Sequence, residues 1–297
     1  MIKCCEKADY CDNVRVIIRV LGDGLLKWKR SERLVDMTRY LIEHPHTLVP
    51  LTYFAERYNA AKSSISEDLS IVKETFEAVG MGSLVTLSGA SGGVRFIPKV
   101  SEEKTHEVIE QLISELGQTD RLLPGGYLFL TDLLGKPQLM NQIGKIFASH
   151  FAEQSIDVIM TVATKGIPIA HAIARHLNVP VVIVRQDSKV TEGSTVSINY
   201  VSGSTGRIQT MALSKRSMKS GQRVLLTDDF MKAGGTMVGM KNLLKEFECE
   251  LAGIAVLVEA DHPSQTLIDD YVSLVRLSGV DEQRQTIELQ QGNIFNY

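Results

Sequence analysis

The apolar positions of this chain change period along its length, and each change marks a different kind of element. Leu34, Val35, Thr38, Leu41 and Ile42 recur at the spacing of an amphipathic helix, which Ser31 is placed to cap and His44-Pro45 to end. A second short helix is expected after Pro50, with Leu51, Phe54 and Tyr58 on one face, and a tight Asn59-Ala60-Ala61 connection follows. A third opens at Lys62-Ser63-Ser64-Ile65-Ser66-Glu67, where Ser64 and Glu67 have the spacing of a capping box. Its stripe is Ile65, Leu69, Val72 and Phe76, and Gly80 suits its C-terminal stop. Two strands over 83–87 and 94–97 then flank a Gly/Ser turn, which predicts a β-hairpin. Three helices and a hairpin make the pattern of a winged helix-turn-helix. The same elements also build protein-binding modules, and patterning leaves both open.

Residues 101–116 read as a polar, charged helix linking this unit to the next. Strand and helix signals then alternate. Strands are expected at 127–130, 156–162, 181–184, 224–226 and 252–258, helices at 137–152, 167–176 and 235–248, and a polar β-rich stretch at 190–213. The later strands are near-continuous apolar runs, as in a parallel sheet covered on both faces. The expected fold is therefore α/β, with an amino-terminal winged helix over 26–99, a connector over 100–122 and a mostly parallel-sheet domain over 123–297. Residues 1–25 fit neither unit. Val14 to Val20 alternates weakly, like one strand without a partner, and such a strand is not stable by itself.

Composition narrows the class. The chain has 297 residues, enough for two domains, with 44% apolar and 23% charged residues. No apolar run approaches the roughly 20 residues of a membrane span, and no membrane partner is expected. Of the four cysteines, Cys4, Cys5 and Cys11 crowd the amino end, Cys249 falls in an expected helix, and none forms a CxxC pair. Neither a disulfide framework nor a metal site is expected, and a reducing cytoplasm fits best. A net charge of −3 argues against wholesale coating of nucleic acid but allows a local basic patch.

The densest chemistry lies in Val224-Leu-Leu-Thr-Asp-Asp-Phe-Met-Lys-Ala-Gly-Gly-Thr236. A buried strand leads into Asp228 and Asp229, then a small-residue loop opens a helix. Lys232, Ala233, Gly234, Gly235 and Thr236 can offer backbone N–H groups and a helix dipole to a phosphate, and the glycines allow close approach. The two acids, at the carboxyl edge of a sheet, are placed to accept bonds from sugar hydroxyls. A second loop, Ala163-Thr164-Lys165-Gly166, repeats the plan: strand end, small turn, cation, helix. Arg185, Lys189, Arg207, Lys215 and Arg216, in the polar stretch 185–219, suit a polyphosphate and equally suit a solvated surface.

The 224–236 segment resembles the thirteen-residue fingerprint of type I phosphoribosyltransferases. That resemblance implies that the acid pair holds ribose, the glycine loop a 5-phosphate, and Thr164, Lys165 and Gly166 a pyrophosphate. From about Lys27 onward the chain resembles the purine operon repressors of Gram-positive bacteria. The stretches that carry this are Ala61-Lys-Ser-Ser-Ile-Ser-Glu-Asp68, Leu123-Pro-Gly-Gly-Tyr127, Thr161-Val-Ala-Thr-Lys-Gly-Ile167, Val190 to Tyr200, and the Asp-Asp loop with Phe230. The resemblance implies a homodimer on double-stranded operator DNA, released by phosphoribosyl pyrophosphate with or without Mg2+. It further implies guanosine tetraphosphate as a competing ligand, and the ring of Tyr127 over the pocket. From the residues alone, Tyr127 is equally a plain strand aromatic.

Purine transferases that use an acidic general base carry it where this chain has Lys232. A lysine is cationic at neutral pH and strengthens polyanion binding instead. A ligand-gated repressor without transferase activity is therefore expected; the alternative is an active purine phosphoribosyltransferase with a regulatory amino-terminal domain. Expected DNA contacts are the cluster Lys27, Lys29, Arg30, Arg33 and Arg39, the helix start Lys62, Ser63, Ser64 and Ser66, and Arg95 and Lys99 at the wing. Because the resemblance begins at about Leu26, residues 1–25 are expected to be a non-native or disordered upstream extension, with translation starting at Leu26.

Overall fold

A computed structural model of the chain describes residues 28–89, 92–186, 193–201, 206–261, 267–281, 284 and 286–296. The expectations for residues 1–25, Leu26, Lys27 and Lys189 lie outside them.

The amino-terminal unit comprises α1 (Arg30–Glu43), α2 (Leu51–Tyr58), α3 (Lys62–Ala78) and the antiparallel pair β1 (Gly82–Leu87) and β2 (Gly93–Pro98). Its core gathers Met37, Leu41, Phe54, Tyr58, Ile65, Leu69, Val72, Phe76, Leu84 and Phe96. The α3 stripe lies where its spacing put it. On α1 the apolar face is shifted: Met37 and Leu41 are buried, whereas Val35 is 71% exposed. Both predicted caps fail. Helix α1 starts one residue before Ser31, and the Glu32 carboxylate accepts from the Lys29 amide at 2.9 Å. Helix α3 starts at Lys62 behind Ala61, so Ser64 falls inside the first turn and cannot cap. Asn59 takes the left-handed conformation (φ 47°) that reverses the chain between α2 and α3, a turn a short polar side chain tolerates.

Helix α4 (Glu102–Leu116), capped by Ser101, buries Val108, Ile109, Leu112 and Leu116 in the core of the second unit. That unit continues through β3 (Leu122–Leu123), β4 (Tyr127–Leu128), α5 (Thr131–Leu134), α6 (Pro137–His150), β5 (Val158–Val162), α7 (Gly166–Leu177) and β6 (Val181–Val184). It is completed by β7 (Thr195–Val201), β8 (Ile208–Ser214), β9 (Arg223–Met231), α8 (Gly235–Glu246), β10 (Glu250–Ala260), β11 (Val272–Asp281) and β12 (Thr286–Gln291). Six strands form one sheet in the order β12-β11-β10-β9-β5-β6, parallel except for β12. Strand alternation sorts the core into two layers. Ile159 and Leu225 face α6 and α7, while Val158, Met160, Val224 and Leu226 face α8 and the β7–β8 pair.

Several sequence expectations need correction here. Strands β11 and β12 were not expected, although they complete the sheet. The predicted strand over 127–130 is only two residues long, because the chain turns into α5. Strand β9 does not stop before the acids: it pairs with β10 through Asp228 and on to Met231. Cys249 lies in the turn between α8 and β10, not in a helix, with its thiol donating to the Lys219 carbonyl. Among the described residues no helix is long and apolar enough to cross a membrane.

The two units touch at the ends of α6 and α7. Asn178, its left-handed C-cap, donates from Nδ2 to Thr47 Oγ1 at 2.9 Å, and the Val100 amide donates to Ser149 Oγ at 3.2 Å.

Candidate ligand site and nucleic-acid interface

In the sheet β5 lies directly beside β9, so the two phosphate-type loops emerge side by side at the carboxyl edge. Cross-strand pairing between them ends at Thr161 and Thr227. Beyond that point Asp228 and Asp229 border the space over which the 163–166 loop folds. A Cβ on Gly166 would lie 2.1 Å from Thr161 Oγ1 and 3.2 Å from Asp228 Oδ1, so only glycine lets α7 start this close to the acids. Gly234 caps α8 in the left-handed conformation (φ 79°), with Ile268 closing behind it. Gly235 and Thr236 follow in the first turn of α8, with the amide ends of that turn toward the same edge. Ala163 is half-buried, and Thr164 and Lys165 are exposed.

The acids are compensated only in part. Burial, reinforced by the negative charge of Asp229, pushes the Asp228 carboxyl well above the usual carboxylate range. Burial also raises Asp229, against the opposing pull of Lys165 and of hydrogen bonds from Asp228 and the backbone. The Asp229 amide donates to Asp228 Oδ1 at 3.0 Å. Nearby, Thr161 and Thr227 bury hydroxyl oxygens that find no partner among the described residues. Two crowded carboxylates and two unsatisfied hydroxyls disfavour the bare edge and favour anything bringing hydroxyls or positive charge.

Tyr127, Phe230 and Lys232 form the other wall. The Tyr127 and Phe230 rings are 5.7 Å apart, and Lys232 Nζ stands 5.4 Å from the Tyr127 centroid while donating to the Gly125 carbonyl at 3.0 Å. All three line one pocket with Asp228, Ala233, Gly234, Gly235 and Thr236. The structure thus brings together the expected 228–236 loop and Tyr127, with the 163–166 loop adjoining through Gly166. Of the polar-stretch cations, Lys215 and Arg216 are exposed and Arg185 is half-buried. One residue at this edge was not anticipated. Tyr200 is 7% exposed, and its hydroxyl donates to Gln209 Oε1 at 2.6 Å. A lone tyrosine in a polar β-rich stretch was its signal.

In the winged helix, Lys62, Ser63 and Ser66 are exposed at the start of α3, with Ser64 half-buried beside them, and Lys29 and Lys99 are exposed as well. Arg33 departs from expectation. Its side chain is 13% exposed and faces Asp68 on α3, with an Nε–Oδ2 bond of 2.8 Å. Arg30 bonds the other oxygen of Asp68 at 2.9 Å. These guanidiniums clamp α1 to α3, since a carboxylate 1% exposed needs such partners. Arg39 lies across Asp36 and Glu43. Arg95 is half-buried, its Nε unsatisfied among the described residues.

Comparison with known proteins follows this division of the chain. Residues 29–98 match the family described as the amino-terminal domain of the bacterial purine repressor, and residues 130–289 match the phosphoribosyl transferase domain. The purine biosynthesis transcriptional repressor of Bacillus subtilis is 60% identical over 272 residues, covering 92% of this chain and 95% of its own. A purine biosynthesis transcriptional activator of Lactococcus lactis is 49% identical over 90% of this chain and 99% of its own. The xanthine phosphoribosyltransferase of Agathobacter rectalis is 32% identical over 178 residues, 55% of this chain and 93% of its own. With an amino-terminal purine-repressor domain joined to a phosphoribosyl transferase domain, and 60% identity to such a regulator over 92% of its length, the chain belongs to the bacterial purine repressor family.

Proposed function

We propose that this chain is a cytoplasmic, homodimeric repressor of purine biosynthesis genes that binds operator DNA through its winged helix and is released by phosphoribosyl pyrophosphate. The boundaries proposed for its units are 26–99, 100–122 and 123–297. The observation that carries the reading is Lys232. A cation, tied to Gly125 and lying over Tyr127, occupies the wall where an acidic general base would be needed. It attracts a polyanion without accepting a proton, so the site binds without turnover. The Asp228–Asp229 pair supplies hard oxygen ligands that suit ribose hydroxyls, or Mg2+ accompanying the diphosphate. The same cradle suits guanosine tetraphosphate as a competitor. DNA contact falls to Lys29, Lys62, Ser63, Ser64, Ser66, Arg95 and Lys99, with Arg30 and Arg39 at the margin. The relative named as an activator leaves the direction of control to the promoter, and a reporter fused to a purine-operon promoter reads it. The direct test is a salt-titrated DNA-binding assay with and without phosphoribosyl pyrophosphate. Salt-sensitive binding that the ligand weakens supports the reading, and ligand-insensitive binding ends it.

The likeness to xanthine phosphoribosyltransferase favours a second reading, an active transferase regulated by its amino-terminal unit. Steady-state pyrophosphate release with xanthine, guanine, hypoxanthine or adenine distinguishes the two.

A further inference from the structure

The chain that runs behind the glycine loop is itself held in place. The Leu267 amide donates to the Ala233 carbonyl at 3.1 Å. Ile268 is buried behind Gly234, where a Cβ would lie 3.1 Å from Ile268 Cγ1. In a trans peptide the carbonyl and the amide N–H of one unit point in opposite directions. Fixing the Ala233 carbonyl toward Leu267 therefore turns the Gly234 N–H the other way. Ala233, Gly234 and Gly235 line the pocket of Asp228 and Thr236, whereas Leu267 and Ile268 do not, so that N–H is left on the pocket side.

Three residues on, Tyr271 is fastened at both its side chain and its backbone. Its hydroxyl donates to Glu259 Oε2 at the end of β10, and its carbonyl accepts from Asn293 Nδ2 at 2.8 Å. Glu259 is buried, and Ser273 Oγ donates to its other carboxylate oxygen at 2.7 Å. The Ser273 amide in turn donates to Asn293 Oδ1 at 2.7 Å, and the Asn293 amide to Ser273 Oγ at 3.2 Å. A buried carboxylate needs such donors, and here they come from the chain that immediately follows Leu267 and Ile268. Neither Glu259 nor Tyr271 lines the pocket. We infer that both are positioning residues: their bond anchors Leu267 and Ile268 against Ala233 and Gly234, and so presets the glycine loop for a phosphate. The inference rests on the proposed phosphate site and deepens it.

Tyr271→Phe keeps the ring and deletes the anchoring bond. The fraction of loops set for phosphate then falls, and apparent affinity falls with it. Calorimetric affinity for phosphoribosyl pyrophosphate should drop about three- to tenfold, the scale of one net hydrogen bond. Glu259→Ala should lose at least as much, whereas Glu259→Gln should stay within about twofold of the wild type. Its amide oxygen can accept from Tyr271 and its amide nitrogen can donate to Ser273 Oγ, which keeps Asn293 Oδ1, 3.3 Å away, as its own acceptor. Unchanged affinity in Tyr271→Phe, or a loss in Glu259→Gln equal to that in Glu259→Ala, overturns the inference. Failure of the wild-type protein to bind would instead overturn the ligand reading. The inference would then be judged by amide hydrogen exchange without ligand. Tyr271→Phe should speed exchange of the Leu267 amide and leave the amides of Glu250–Ala260 protected. An unchanged Leu267 amide, or equal acceleration along that strand, would refute it.

Discussion

Two carboxylate sites drawn back from solvent in this chain have opposite fates. Asp68, on the helix proposed to meet DNA, is 1% exposed and gripped by Arg30 and Arg33. Asp228 and Asp229, at the sheet edge, face each other's charge, opposed in part by hydrogen bonds and by Lys165. In the first place the protein supplies its own counter-charges, and the result is a joint between helices. In the second it withholds them, and the result is an edge that gains from an incoming partner. Burial of an acid is thus no sign of function; incomplete compensation is the more telling feature.

The contrast can be broken most forcefully at Asp68. Removing it as Asp68→Ala leaves the inward-facing Arg33 unpaired and should cost about 3 kcal/mol, the usual scale for breaking a buried pair. Urea denaturation of the winged-helix transition measures this, and a loss below about 1 kcal/mol would place the pair among surface ion pairs. At the other site Asp228→Ala or Asp229→Ala should lower affinity for phosphoribosyl pyrophosphate roughly ten- to a hundredfold, through loss of a charge-assisted bond, with DNA binding retained. Normal ligand release from DNA in both single variants would remove the acids from the site.

A smaller effect has the reverse sign. Because folding raises the pKa of Asp228, the folded state holds that proton more tightly than the unfolded chain. The stabilisation from this is full below the ordinary carboxylate pKa and is lost as pH rises through the raised value. Asp228→Asn should therefore flatten that part of the pH–stability curve. At pH 7 it should raise the melting temperature by about 2–4 °C, the scale of ~1 kcal/mol in a domain this size. A lowered melting temperature would mean that the pair is compensated after all. Least of all, Tyr127→Ala should change ligand affinity a few-fold with the melting temperature preserved. A large fall in melting temperature at unchanged affinity would mark Tyr127 as a structural aromatic.

What could be read before the fold was known follows from where information resides in a chain. The phosphate loops were legible because their chemistry is contiguous: Asp228 to Thr236 and Ala163 to Gly166 each sit on one strand–loop–helix turn. The α3 stripe was legible for the same local reason. Long-range pairing hid the rest. Arg33 reads as a free cation until Asp68, 35 residues later, folds against it. Tyr200 meets Gly239 only because two strands lie across α8. Strands β11 and β12 were missed because Ser273, Arg276 and Ser278 interrupt the apolar pattern of the first, and the second is an edge strand without buried residues. Residues 29–98 and 130–289 nonetheless fall into the two families that those local motifs suggested.

Helix α7 has a mechanical consequence. Its first residue, Gly166, is pressed against Asp228, and its cap, Asn178, holds Thr47 of the winged helix. Twelve residues of α-helix make a stiff rod about 18 Å long joining the two places. Pivoting such a rod by about 3° at one end swings the other by about 1 Å, so a ligand that merely nudges the 163–166 loop has leverage on the DNA-binding unit.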